Sequence, residues 1–540
     1  MSKCTLVTAY YSIPSKFPHE TYLQWATHFL QLDASIVLFT SPDLAETFRK
    51  MRGSKPLHII TKDFSELEAW KKYEAQWREH KKMDKEAYHT PELYALWAQK
   101  SFFMKEAIKS NPFYTPYFFW CDIGAFRKEL YIKETLSRYL SSVYPKIKET
   151  FPQSRYLSSD RILFSSIEPL QPGDNTVQQE IPGNFTNKNR IVGGLWGGSI
   201  YACIIWHESY IKMLETYFRV SRFAGKDQSV MLSTYLRNPN LGLVVRPSIP
   251  IDDPWFFLTH LLSDLPVSYK LDRSYLQPPS APMITTTLQG GLCNQIFQIV
   301  VAYAQSRRIK GVFRIRRNKL YEDHRPLYWD SFFHLFTPYS YNSLPELKTI
   351  TDAEPTKYQQ LPLQSCHLYG YFQSPKYFQE YSEEIRQLLA PPPTILQKIK
   401  DKYRFLLEKK DRLVVVHARR TDYCEKASFH GPLTIEYYQE AKKRLRVEKP
   451  FFLLCADDTK FWQDTKLFIE NEHYLLENED DVTTLHLLSQ FFYFIIANST
   501  FSWWGAWLAE AKQVMAPSRW FGPTGPKHYE DIYVPSWERI

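Results

Sequence analysis

The sequence predicts an α/β protein built from two domains. Three observations predict it. The chain has 540 residues, too many for one ordinary core at ~100–200 residues per domain. Short β-rich runs alternate with amphipathic stretches in both halves, the rhythm of helices layered on sheets. Between Leu276 and Met283 the chain reads Leu-Gln-Pro-Pro-Ser-Ala-Pro-Met; prolines at that density make an extended linker. The division is therefore 1–271, a linker at 272–283, and 284–540.

In the first half, Leu6–Tyr11 and Ser35–Phe39 are expected strands, and Tyr22–Leu30 and Leu44–Met51 expected helices. Tyr117–Cys121 is an apolar strand delivering Asp122 to a turn. Glu208–Val220 has helical spacing. In the second half the rhythm restarts with a strand at Ile284–Leu288, then Gly290-Gly291, then a helix from about Asn294 to Arg308. Three further strands end in polar clusters. Leu413–Val416 leads into His417-Ala418-Arg419-Arg420-Thr421-Asp422. Phe451–Leu454 leads into Cys455-Ala456-Asp457-Asp458. Phe491–Ala497 leads into Asn498-Ser499-Thr500 and a helical stretch, Trp503–Ala511.

Bulk properties exclude several classes. Lys plus Arg is 67 against 58 Asp plus Glu, a net +9. That mild, dispersed excess speaks against nucleic acid as a partner. No apolar run approaches the ~20 residues of a membrane span, and the N-terminus enters a strand without room for a signal peptide. Seven cysteines, odd in number and without CxxC spacing, fit a reducing compartment. The expected location is cytoplasmic.

Ligands of open α/β sheets bind at the carboxyl ends of strands, so the three clusters of the second half are expected to converge. Arg419 and Arg420 carry planar forks suited to a pyrophosphate. Ser499, Thr500 and the following amides offer donors at a helix start, although Asn-Ser-Thr is also an ordinary cap. Asp457 or Asp458 can accept from adjacent N–H groups of a guanine; a helix cap is the alternative. Gly290 and Gly291 permit close backbone approach and Asn294 adds an amide, with none of the Walker or GxGxxG spacing. Trp503-Trp504-Gly505-Ala506-Trp507 reads as core packing.

In the order given, these segments resemble glycosyltransferase family 11, the α1,2-fucosyltransferases. The matching runs are Gly290–Gln298, Gly370-Tyr371-Phe372-Gln373-Ser374, His417–Tyr423, His430-Gly431-Pro432-Leu433, Asp457-Asp458 and Asn498–Leu508. Cys293, Ala418 and Thr421 depart from the usual pattern. The resemblance implies a GT-B fold of two Rossmann-like lobes and an inverting transfer of fucose from GDP-fucose to a sugar hydroxyl, with no metal required. It implies that Arg419 binds the β-phosphate and stabilises the leaving GDP, supported by Arg420 and Asp422. His417 with Asp457 or Asp458 would read guanine, and Ser499, Thr500 and Ser502 would hold the pyrophosphate. Asn294 would approach the donor from the other lobe. The base for the acceptor hydroxyl is sought among Asp422, Glu425 and His430.

In the first half, Asp122 is a carboxylate at a strand end, the position that binds a divalent cation in GT-A enzymes. Mg2+ or Mn2+ suits such oxygen ligands, yet Gly124 stands where a DxD motif has its second Asp. Gly193-Gly194 to Ser199 is expected as a glycine-rich turn approaching a sugar or phosphate, and Asp227 as an acceptor ligand or base. The first half resembles the HtrL/YibB family through Thr8–Tyr11, Pro91–Tyr94, Trp97 and Lys100, Asn111-Pro112-Phe113, Tyr117–Gly124, Gly193–Ser199 and Lys226-Asp227-Gln228. That resemblance implies a GT-A-like transferase using a second nucleotide sugar. The expectation is a bifunctional enzyme acting on a glycan acceptor. Its rivals are a single fucosyltransferase with an acceptor-binding scaffold and a carbohydrate-binding protein without turnover.

Overall fold

The computed structural model describes residues 4–32, 34–127, 161–183, 190–248, 254–261, 269–271, 282–317, 328–329, 331–341 and 344–540. Residues 272–281 of the expected linker lie outside them. The chain divides into two compact units, Met1–Ala281 and Pro282–Ile540.

The first unit is built on one sheet. Its strands are β1 (Cys4–Tyr10), β2 (Ser35–Thr40), β3 (Leu57–Thr61), β4 (Tyr117–Cys121), β5 (Ile162–Ser165), β6 (Leu195–Ser199), β7 (Gly242–Pro247) and β8 (Tyr269–Leu271), in the order β8-β7-β5-β6-β4-β1-β2-β3. The run from β4 to β3 is parallel; β6 enters antiparallel between β4 and β5. Tyr117–Cys121 is buried along its whole length, as an apolar run in a central strand requires. From β1 the chain winds out to β2 and β3 and returns on the other side at β4. The β1–β4 junction is thus the point where winding reverses, where ligand crevices form.

Helices α1 (His19–Phe29), α2 (Ala45–Arg52), α3 (Glu68–Lys81), α4 (Pro91–Ser110), α5 (Ile200–Arg219) and α6 (Asp227–Arg237) cover the sheet. In α4, the Thr90 side chain accepts from Leu93 N and Pro91 occupies the first turn, a strong start signal. Its inward face packs Phe103 against Tyr11, with rings stacked at 6.2 Å, and against Trp120 at 6.0 Å. One correction concerns the expected glycine-rich turn. Gly197 and Gly198 lie inside β6, opposite Phe119 and Phe118 of β4; a Cβ on Gly197 would sit 2.2 Å from the Phe118 carbonyl oxygen. Close strand packing, not a ligand, accounts for them.

The second unit holds two parallel sheets. The first contains β9 (Met283–Thr287), β10 (Val312–Arg316), β11 (Ser340–Tyr341), β12 (Thr349–Thr351) and β13 (Cys366–Tyr369), in the order β11-β10-β9-β13-β12. The second contains β14 (Leu413–Ala418), β15 (Phe451–Ala456), β16 (His473–Leu475), β17 (Tyr493–Ile495), β18 (Gln513–Ala516) and β19 (Glu538–Arg539), in the order β16-β15-β14-β17-β18-β19. Two helices matter for the site: α7 (Leu292–Arg308) after β9 and α8 (Thr500–Leu508) after β17. Trp503 and Trp504 are fully buried. Phe297 of α7 packs on both with ring centroids 4.8 Å away, so the tryptophan run is core, as expected. Among the described residues no helix is long and apolar enough to cross a membrane.

Candidate active site

In the second unit, β14, β15 and β17 are neighbours in one parallel sheet, so their polar tails meet at one end. They line a cavity of about 1020 Å³ together with the Gly290–Asn294 loop. Of the residues expected from sequence, Gly290, Gly291, Asn294, His417, Arg419, Asp422, His430, Asp457, Ser499 and Thr500 line it. Arg420, Glu425, Asp458 and Ser502 do not.

The two arginines part company. Arg419 Nη2 meets Asp422 Oδ1 at 2.9 Å and its Nε lies 3.4 Å from Asp457 Oδ2. Burial works against its charge, but these two carboxylates outweigh burial and keep the guanidinium protonated. Arg420 turns outward: its Nη1 donates to the Leu433 carbonyl at 3.1 Å and its guanidinium covers the Phe461 ring.

Asp457 is occupied by the loop it faces. Its Oδ1 accepts from Arg420 N at 2.7 Å; its Oδ2 accepts from Thr421 N at 3.0 Å and from the Thr421 hydroxyl. Burial raises this carboxyl, but those donors and Arg419 bring it below the usual carboxylate range. Asp457 therefore aims the arginine turn, and its oxygens are engaged without a nucleobase. Asp458 accepts from Lys460 N at 3.1 Å, the capping alternative.

His417 is buried. Burial first, then the Arg419 charge, pushes it down to about 4, so it stays neutral at neutral pH. Its Nδ1 pairs with Ser502 Oγ at 3.1 Å; Ser502 acts through His417, not at the cavity. Ser499 caps α8, accepting from Phe501 N at 3.4 Å. On the opposite side Gly290 has φ +75°. Asn294 Oδ1 accepts from Gln373 Nε2 and from Thr500 Oγ1, both at 3.0 Å, which leaves its Nδ2 as the donor for a ligand.

Residues quoted for the resemblance but given no role complete the site. Asn498 donates from Nδ2 to the carbonyls of His430, Gly431 and Trp520 at 2.7, 3.1 and 2.9 Å. Tyr423 donates to the Asn498 carbonyl at 3.0 Å and stacks on His430 at 4.2 Å. Burial and the nearby Lys426 and Arg419 charges, opposed by Asp422, hold His430 below its ordinary value.

In the first unit, Asp122 leaves β4 at the β1–β4 junction. Its N–H donates to the Gly194 carbonyl at 2.7 Å, and Trp120 Nε1 donates to its Oδ1 at 2.7 Å. Asp227 begins α6 and is buried. Lys100, from the middle of α4, reaches both carboxylates: 3.1 Å to Asp122 Oδ1 and 3.0 Å to Asp227 Oδ2, with the Gly193 carbonyl also at 3.0 Å. Burial disfavours this ammonium, but the two carboxylates outweigh it and keep Lys100 protonated. Gly193 and Gly194 thus turn carbonyls toward Lys100 and Asp122. A Cβ on Gly193 would lie 2.8 Å from Asp227 Oδ2. The sequence gives no role to Lys100, because a lysine in mid-helix carries no sign of facing inward.

Comparison with known families sorts the two units. Residues 313–540 match the model of glycosyl transferase family 11. The second unit is a glycosyltransferase domain. The match begins after the Gly290–Gln298 run. Residues 2–256 match HtrL_YibB, a family described as bacterial protein of unknown function. An alpha-1,2-colitosyltransferase of Escherichia coli is 28% identical over 273 residues, 44% of this chain and 92% of the relative. The O-antigen biosynthesis glycosyltransferase WbnK of Escherichia coli is 29% identical over 166 residues, 28% of this chain; the chain spans about half (55%) of WbnK. Among solved structures, an Arabidopsis thaliana FUT1 mutant in complex with GDP is 10% identical with a TM-score of 0.29, covering 45% of this chain and 71% of that one. The fucosyltransferase NodZ from Bradyrhizobium is 12% identical with a TM-score of 0.28, covering 44% and 96%.

Proposed function

We propose that the second unit is a GT-B-type transferase that moves fucose from GDP-fucose to a sugar hydroxyl of a glycan, with inversion, an α1,2 linkage and no metal. The observation that carries this reading is Arg419, the one arginine among the described residues that line the strand-end cavity, which the start of α8 and the Gly290–Asn294 loop also line. A diphosphate placed there meets the Arg419 fork, the Ser499 hydroxyl and the Asn294 amide. As the sugar–phosphate bond breaks, negative charge grows on the departing GDP, and Arg419 stabilises it. Asp422 keeps Oδ1 on Arg419, and its Oδ2 takes the acceptor proton. Glu425 stands outside the cavity and is left out of this reading.

A second donor, a colitosyl nucleotide, is favoured by the name of the 28%-identical relative. We assign the first unit, on the expectation raised by its sequence, a GT-A-like transferase activity with a separate nucleotide sugar. Fusion of two such activities raises the effective concentration of the first product for the second step.

The test is a donor panel on the full chain, reading GDP and UDP release with glycan acceptors. GDP-fucose turnover that Arg419→Ala removes supports the fucosyl reading. Turnover of the colitosyl donor alone replaces it with the second. Turnover of neither donor refutes both.

A further inference from the structure

The Asp122 site was expected to take Mg2+ or Mn2+, and its residues do not fit one. The position a divalent ion would need is filled. Lys100 Nζ sits among three oxygens at nearly equal distance, Asp122 Oδ1 at 3.1 Å, Asp227 Oδ2 at 3.0 Å and the Gly193 carbonyl at 3.0 Å. Two carboxylates and a carbonyl are a hard-cation donor set, and an ammonium stands at its centre. The side chains of Lys100 and Asp227 are only 9% and 8% exposed, so the lysine has no ready exit. Its stem leaves α4 beside Phe103, which is clamped between Tyr11 and Trp120. A divalent ion on Asp122 Oδ1 would bring two positive charges against a buried third.

Asp122 differs from its partners. Its side chain is 40% exposed. Oδ1 is held by Lys100 and by the Trp120 indole, so Oδ2 is the oxygen left for a ligand. The site stands at the carboxyl end of β4, beside β1, where ligands of wound sheets bind.

We infer that Lys100 is the resident cation of the first unit, standing where a divalent metal would, and that Asp122 Oδ2 receives a hydroxyl of a sugar ligand. Asp227 is a positioning residue that holds Lys100. The sugar part of this inference rests on the transferase reading of the first unit; the cation part does not.

The test uses the full chain labelled with 15N-tryptophan and titrated with Mn2+. Trp120 Nε1 lies 2.7 Å from Asp122 Oδ1, so an Mn2+ ion on Asp122 would broaden the Trp120 indole signal beyond detection. In wild type the signal survives stoichiometric Mn2+. In Lys100→Ala the three oxygens lose their ammonium and gain the metal, and the signal disappears. Asp122→Asn added to Lys100→Ala restores it. Loss of the signal in wild type but not in Asp122→Asn overturns the inference, and this pair decides even if Lys100→Ala does not fold. A folded Lys100→Ala chain that holds no Mn2+ also overturns it. For the sugar part, turnover of the first unit's donor continues in EDTA and is lost in Asp122→Asn; turnover stopped by EDTA in wild type refutes it. If no variant turns over any second donor, the transferase reading of this unit fails while the Mn2+ result stands on its own.

Discussion

Replacing Arg419 by alanine separates chemistry from folding. The Arg419 side chain is 29% exposed and its closest partner, Asp422, is 41% exposed, while the more buried Asp457 keeps its Arg420 and Thr421 N–H donors when the guanidinium goes. A pair that open to solvent contributes ~0–1 kcal/mol to the fold. For a domain of this size each kcal/mol moves the midpoint by ~2–4 °C, so Arg419→Ala should melt within a few degrees of wild type. Its effect on turnover is much larger. Removing one preorganised donor from developing transition-state charge costs ~10²–10³ in kcat, about 2.7–4 kcal/mol. Arg419→Lys keeps the charge and loses the fork, and should fall between. The assay is GDP release from GDP-fucose at saturating acceptor, alongside thermal unfolding. A folded Arg419→Ala enzyme whose kcat drops less than about tenfold, under ~1.4 kcal/mol of barrier, would refute the role given to this residue.

Three other outcomes are expected. Gly290→Ala puts a Cβ 2.8 Å from Asn294 Nδ2 at φ +75°; that strain costs ~1–3 kcal/mol, and calorimetry should show weaker GDP binding, with unchanged affinity counting against the loop. His417 sits at about 4 in the fold against an ordinary ~6.5. Between those values the unfolded chain binds a proton that the folded one refuses, so stability falls as pH drops through the window, by up to ~1.4 kcal/mol per pH unit. His417→Gln should flatten that slope in denaturant titrations, and equal slopes would contradict the buried neutral imidazole. Thr90→Ala removes the side-chain cap of α4 and should cost ~1 kcal/mol of first-unit stability, read by thermal unfolding; no measurable loss would mean the cap is idle.

The strands that carry the sites were legible because central strands of parallel sheets are buried on both faces and read as continuous apolar runs. Tyr117–Cys121 matches the expected bounds; β14 and β15 run two residues further than expected. Phe491–Ala497 shortens to Tyr493–Ile495, the part that pairs with Val414–Val416 of β14. The helix expected from Trp503 starts at Thr500, because Ser499 caps it. Side-chain direction was not legible. Arg419 and Arg420 are chemically identical neighbours at a turn, and only the fold sends one to Asp422 and the other to Leu433. Asp457 shows in sequence as a carboxylate after a strand, but nothing there reveals that backbone N–H groups 36 and 37 residues upstream consume it. The role of Lys100, quoted only for the resemblance, stays hidden because its partners lie 22 and 127 residues away, brought together by β4 and α6.

Asn294 has a consequence for helix register. Its one carbonyl oxygen fastens α7, which follows the first sheet of the second unit, to Thr500 at the start of α8, which follows the second. Of the two neutral hydrogen bonds this oxygen accepts, only the one from Thr500 reaches α8, worth ~0.5–1.5 kcal/mol. That bond alone favours the seated arrangement by roughly two- to thirteenfold, a small share beside the buried contact of Phe297 with Trp503 and Trp504. Asn294 therefore sets the register of the two helices more than their hold on each other, and its loss should leave α7 and α8 seated together.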